Sequence, residues 1–172
     1  EITDADLGNN EVLFLPYLMG ERSPINDTDA RGAFIGMYLD TKRKDMIQAV
    51  LEGVAFAVRD NFEVAKSQGI ELKMSTLCGG GAKSPLWRKI LANVLNIDIA
   101  IPMAEEGPGF GGAMLAMVGN GRYADVAECA DAFIHIKEVI HPDKTVVDLY
   151  EKQYRKYRML YPALKEFYKV CK

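Results

Sequence analysis

Apolar and polar positions follow one another along the chain in blocks whose periods predict its elements. "EVLFLP" is a short apolar run stopped by Pro16, and it reads as a strand. "YLMGERSPINDTDARG" is dense in Gly, Pro, Asn and Asp and reads as a loop. "AFIGMYL" is a second strand-length run. Beyond Thr41, a candidate N-cap, Met46, Ile47, Val50, Leu51, Val54, Val58, Phe62 and Ala65 recur at three- and four-residue spacing. That is one face of a long helix, which Gly69 ends. "MSTLC" is a short buried strand, and Leu86, Ile90, Leu91, Val94 and Leu95 mark the next helix face. "NIDIAIP" alternates as a strand, and "GPGFGGAMLAMVGNG" reads as a glycine loop entering a small-residue helix. "DVAECADAFI" is a short helix and "IHIKEVIHP" is irregular or extended. From Asp143 a tyrosine stripe, Tyr150 to Tyr168, predicts a terminal helix packed on its domain, which Pro162 should break or kink. Strand, strand, helix, strand, helix, strand and then helices is an α/β order. Only about four strands are visible, fewer than a typical sheet holds, so an incomplete sheet is expected.

Two glycine clusters interrupt this pattern. "CGGGAKSP" stands between a strand and a helix start, with Ser84 as N-cap and Pro85 in the first turn. Residues without side chains let a ligand reach the backbone, and a helix N-terminus offers unpaired N–H groups suited to phosphate. A plain strand-to-helix turn is the other reading of Gly79, Gly80, Gly81 and Ala82. "GPGFGG", Gly107 to Gly112, matches the dinucleotide fingerprint letter for letter, with Asp131 at the distance of its ribose acid. Met103 to Glu106 separate it from the preceding strand, and Glu105 and Glu106 would set negative charge beside a pyrophosphate. A glycine-faced helix packed closely on its neighbours is the better account, and an NAD-dependent oxidoreductase stays as the rival enzyme.

Composition narrows the classes. With 172 residues, 49% hydrophobic and 26% charged, the chain can form one domain with a real core. A net charge of −3 gives no footprint for nucleic acid or an anionic membrane. No apolar run reaches the roughly 20 residues of a membrane span. Cys78, Cys129 and Cys171 are odd in number and far apart, which points to a reducing cytoplasm rather than a disulfide framework. The first residues, "EITDADLGNN", start without Met, as a processed chain or a piece of a longer protein would.

"FLPYLMGERSP", "DARGAFIG", "AVLEGVAFAVRDNFE", "CGGGAKSPLWRKILANVL" and "GPGFGGAMLA" occur in this order and at these spacings. Together they resemble the C-terminal half of the FGGY family of carbohydrate kinases over nearly the whole chain. The GGGA-x-S-x-x-W element carries the most specific part of that resemblance. The GERSP and ARGAFIG segments are most similar to the xylulose kinases of the family, and next to its gluconate kinases. The resemblance implies an actin-like, ribonuclease-H-like ATPase fold, of which residues 1–172 would be the C-terminal nucleotide-binding domain. An N-terminal domain holding the sugar and the catalytic aspartate would lie outside this chain, together with the first strands and a Gly-Thr phosphate loop. It further implies ATP, with Mg²⁺ carried by the nucleotide, and a ketose such as D-xylulose as phosphoryl acceptor. Gly80, Gly81 and Ala82, after Gly79, would then meet the adenosine and nearby phosphate, with Ser84 and Pro85 near the adenine. Some relatives have Asn where Pro85 stands, so base recognition here would rest on shape and backbone.

No residue of the chain is assigned as the base for the sugar hydroxyl. Asp27, Asp29 and Asp40 read as solvated turn residues. His135 and His141 lack metal-ligand company and read as structural or surface groups. Lys83 reads as a solvated lysine rather than a phosphate ligand, Glu21 and Arg22 as an ion pair fixing their loop, and Trp87 as a packing anchor. A non-catalytic actin-like interaction domain is the rival outside the enzymes. An open sheet edge would recruit a second chain, so a homodimer is expected.

Overall fold

A computed structural model describes residues 2–103 and 107–170. Two small sheets share one core. In the first, β1 (Leu13–Leu15) pairs antiparallel with β2 (Ala33–Ile35), Phe14 opposite Phe34. In the second the order is β3-β4-β5: β3 (Met74–Thr76) runs parallel to β4 (Asp98–Pro102), and β5 (Ile136–Ile140) is antiparallel to β4. The helices are α1 (Arg43–Ser67), α2 (Pro85–Leu95), α3 (Pro108–Gly119), α4 (Val126–Phe133) and α5 (Lys144–Tyr168). The α/β reading holds, with a fifth strand where "IKEVI" had looked irregular or extended. That segment is short, and its pairing with β4 settles its conformation. Among the described residues, no helix is long and apolar enough to cross a membrane.

The core lies where α1, α2 and α5 meet β1 and β4. Phe56 of α1 is fully buried and packs against Tyr150, Tyr154 and Tyr157 of α5. Buried tyrosines need a partner for the hydroxyl, and these have one. Tyr150 donates to Glu52 Oε1 at 2.9 Å, Tyr154 to Asp60 Oδ1 at 2.5 Å, and the Tyr157 and Tyr17 hydroxyls meet at 3.2 Å. The tyrosine stripe is thus the packing face of α5, as its spacing predicted.

Local expectations were corrected at several points. α5 runs unbroken through Pro162, because one lost backbone bond is outweighed by packing on both sides of it. α1 starts one residue later than a Thr41 cap would place it: Thr41 Oγ1 accepts from Tyr38 N–H at 2.9 Å, while Asp45 Oδ2 accepts from Lys42 N–H at 2.8 Å. Asp27 is not a solvated turn acid. It accepts from Asp29 N–H at 2.8 Å and from the Tyr161 hydroxyl at 2.7 Å, which ties the 17–32 loop to α5. That loop is closed by backbone bonds between Glu21 and Asp27 (2.9 and 2.8 Å), and among the described residues no ion pair joins Glu21 to Arg22.

Glu52 is the least expected buried residue, at 1% exposure. Its Oε1 accepts from Gln48 Nε2 at 2.8 Å, from Tyr150 and, at 3.3 Å, from Gly8 N–H. Its Oε2 has no hydrogen-bond partner. Burial raises its pKa above the ordinary glutamate range, against the lowering effect of those three bonds. The folded chain therefore holds a proton that the unfolded chain releases first. The resulting stability is complete below the unfolded pKa and is lost as pH rises toward the folded one. Glu52→Gln is expected to melt higher than the wild type at pH 8 and to narrow its advantage toward pH 4. Melting curves across that range check this; an advantage that grows toward acid pH would refute it.

Candidate nucleotide site

The parallel pair β3–β4 defines one end of the domain at which both strands finish and two helices begin. Ligands of α/β sheets collect at such carboxyl ends, where helix N-termini point inward. β3 passes into Leu77, whose N–H still bonds Ala100 O at 2.9 Å. Cys78 is exposed, and the chain then turns through Gly79 at φ +81°, a conformation that favours glycine. A single 3-10 turn follows, Gly80–Lys83, closed by Ala82 N–H to Gly79 O and Ser84 N–H to Gly81 O, each 3.1 Å. Ser84 caps α2, its Oγ accepting from Trp87 N–H at 3.3 Å, and Pro85 takes the first helical position. Both assignments from sequence stand.

The six residues singled out in sequence do not play equal parts. A Cβ added to Gly79 or Gly80 would meet nothing within 4 Å, so both present bare backbone to open space. Gly81 lies over the indole of Trp87, where a Cβ would come within 3.0 Å of Nε1. Trp87 is half-buried against the core, a packing anchor as expected. Ala82 is buried and, with Gly79, Arg88 and Lys137, lines a recess of about 50 Å³. Ser84 and Pro85 shape the helix start, and neither lines that recess or the cleft beside it.

That cleft, of about 210 Å³, adjoins the recess across Cys78 and is mostly apolar. Its walls include Thr76, Phe110, Gly111, Met114, Phe133 and His135. Phe110 and Phe133 meet edge to face at 6.3 Å, joining α3 to α4. An apolar slot beside a recess lined by Arg88 and Lys137 and a bare-backbone turn suits a base joined to anionic groups. Sequence reasoning missed the slot's walls, since they converge from four elements. Gly107, Phe110 and Gly111 stood out in sequence only as part of the GPGFGG run, and His135 as a structural or surface residue; His135 is exposed and borders the slot, while His141 pairs at the surface with Asp98 at 2.8 Å. A larger cavity, about 290 Å³, lies at the opposite strand ends beside Lys73 and Ile97. Its Arg59 is already paired with Glu63 (3.3 Å) and Glu151 (2.5 Å), so it offers a ligand less.

The second glycine cluster is corrected in kind. Helix α3 starts at Pro108, so Gly109, Gly111 and Gly112 are helical rather than loop residues. None of them is needed for close packing, because a Cβ on each would find nothing within 4 Å. The dinucleotide reading fails too. The fingerprint needs a tight turn directly off the strand and a parallel strand after the helix, whereas β5 is antiparallel to β4. Glu105, Glu106 and Cys171 lie outside the described residues. Among those described, no group of three His, Cys, Asp or Glu side chains could hold a metal ion.

Comparison with known proteins gives a consistent result. The model of the FGGY family of carbohydrate kinases, C-terminal domain, matches residues 1–119. The xylulose kinase of Staphylococcus epidermidis is 38% identical over 160 residues, which is 93% of this chain and 32% of that protein. The xylulose kinase of Bacillus subtilis is 35% identical over 170 residues, 95% of this chain and 34% of the relative. Among solved structures, a xyloylose kinase from Brucella ovis superposes with a TM-score of 0.84 at 39% identity, covering 91% of this chain and 32% of that one. A gluconate kinase from Lactobacillus acidophilus gives 0.87 at 29% identity, covering 96% and 34%. The chain thus spans about a third of the length of the relatives it matches.

Proposed function

The chain belongs to the FGGY family of carbohydrate kinases and has the α/β architecture of the C-terminal half of their actin-like ATPase fold, and from that premise we propose that it is the nucleotide-holding part of a two-domain cytoplasmic sugar kinase. The whole enzyme transfers the γ-phosphoryl group of ATP to a hydroxyl of a ketose, D-xylulose in the first instance. Gluconate is the second candidate, on the strength of the superposition just described. One observation carries the reading: the turn Gly79–Ala82, with bare backbone at Gly79 and Gly80, stands at the end of the parallel strand pair, beside a mostly apolar slot of about 210 Å³.

In this reading the slot takes the adenine. The N–H groups of the turn face the ribose and phosphates, and Lys137, with the positive end of α2, biases the recess toward anionic charge. Ser84 and Pro85 act by fixing where α2 begins. Mg²⁺, which neutralises charge on the transferring phosphoryl group, arrives on the nucleotide. Glu138, on the strand bordering the recess, suits that role poorly, since it is already paired with Arg88 at 2.8 Å. The base that accepts the sugar proton belongs to the N-terminal domain, which closes over the nucleotide and excludes water.

Isothermal titration of the chain with ATP, ADP and NADH tests the proposal. ATP and ADP are expected to bind weakly, at a Kd on the order of 0.1–1 mM, because half the cleft is supplied elsewhere. No sugar-dependent ADP release is expected from this chain alone. NADH binding more tightly than ADP, or ADP heat absent at millimolar concentrations, would overturn it. Homodimerisation belongs to the same proposal: among the described residues β3 leaves one edge unpaired, Met74 on β3 is more than half exposed, and so is Leu115 on α3. Light scattering of the titrated sample at the monomer mass would remove that part.

A further inference from the structure

The proposed site depends on a turn whose first residues carry no side chains to hold them. Gly79 and Gly80 touch no neighbour through the space a side chain would fill, and glycine has the largest conformational entropy to lose. The turn's internal restraint is two backbone bonds of 3.1 Å. A side chain of α2 also grips it from outside. Arg88, one helical turn into α2, folds back so that its Nε donates to the carbonyl oxygen of Ala82. Its Nη1 donates to Glu138 Oε2 of β5 at 2.8 Å. The guanidinium is mostly buried, with 18% of the side chain exposed, and it borders the recess next to Gly79.

We propose that Arg88 is a positioning residue for nucleotide binding, a strut that sets the curvature of the Gly79–Lys83 turn by tying it to β5 through Glu138. The inference rests on the nucleotide reading above. The planar fork of arginine suits this task, because its donors leave in fixed directions and can hold a carbonyl and a carboxylate at once. A lysine at position 88 would keep the charge and lose the fork. Holding the Ala82 carbonyl also keeps the opposite face of the turn, with its N–H groups, directed at the ligand. The strut joins the family-matched region, residues 1–119, to a strand beyond it. β5 therefore contributes to the site without touching the ligand at this point.

The experiment compares the wild-type chain with Arg88→Lys, Glu138→Gln and the double variant. Hydrogen exchange at the Ala82 and Ser84 amides reads the turn directly, with no ligand present. Both amides are expected to exchange about tenfold faster in Arg88→Lys, while amides of α1 and α5 keep their rates. ADP affinity is expected to fall by a similar factor in Arg88→Lys and by less in Glu138→Gln. The double variant is expected to be no weaker than Arg88→Lys, since both act through one strut. Unchanged turn exchange in Arg88→Lys overturns the proposal, and so does a rise matched across α1 and α5, which signals general loosening. If wild-type chain binds no ADP, the nucleotide reading fails and Arg88 loses its role in binding, even where exchange shows it ordering the turn.

Discussion

Gly80→Leu is expected to abolish detectable ATP binding while leaving the melting temperature within a degree or two of the wild type. Open space surrounds the position a Cβ would occupy, and the φ of Gly80 lies outside the left-handed range. The fold therefore loses nothing, and restricting a glycine in the unfolded chain adds about 0.4–1 kcal/mol of stability where the native backbone permits it. The ligand loses a great deal, because an isobutyl group fills the space through which nucleotide would approach the turn. A loss of roughly 100-fold, ~2.7 kcal/mol, is expected. The neighbouring glycines are poorer tests. Gly79 is at φ +81°, where any other residue costs about 1–2 kcal/mol in strain. A side chain at Gly81 would press on Trp87 and disturb the start of α2. Calorimetric titration with ATP, paired with a melting curve, reads both halves. Full-strength binding by a well-folded Gly80→Leu chain would remove the turn from the site and leave kinship with the kinases as a matter of fold.

What the sequence made legible here was local chemistry. Ser84 and Pro85 announced a helix start because capping and first-turn preferences act within three residues, and the structure has both in place. The glycine run pointed to exposed backbone for the same reason. Long-range features were hidden. The slot is walled by residues from β3, β4, α3, α4 and the segment after it, which no periodicity could bring together. Arg88 resembled any other charge on an amphipathic helix until β5 placed Glu138 beside it. "GPGFGG" misled in a further way. Glycines in a helix suggest close approach, but these lie open, and α3 rests mainly on α4 through Phe110 and Phe133. Asp27 was misjudged because its partner, Tyr161, lies 134 residues away in sequence.

Gly53 shows the opposite case, a helical glycine that the fold cannot replace. By local rules Gly53→Ala should stabilise α1 by about 1 kcal/mol, since glycine is the poorest ordinary helix former. Tertiary structure reverses the sign. An added Cβ would lie 2.2 Å from the carbonyl oxygen of Phe14 and 3.1 Å from its carbon. Both are backbone atoms of β1, whose three residues are all buried, so no flexible side chain can swing aside. Relief requires α1 and β1 to part by about 1 Å, which opens the contact of Val12 and Phe14 with Ala49 and reaches the core at Leu13 and Leu15. Overpacking of this severity lies at or beyond the upper end of the usual range, about 3 kcal/mol or more. The net expectation is a loss of at least ~2 kcal/mol, read as a lower denaturant midpoint at unchanged slope. Gly112→Ala in α3 is the matched control, because its Cβ meets nothing and only the propensity gain remains. If the two alanines raise the midpoint alike, the approach of α1 to β1 is not as close as described. If Gly53→Ala falls and Gly112→Ala rises, the contact with the Phe14 carbonyl, rather than helix propensity, fixes the residue at position 53.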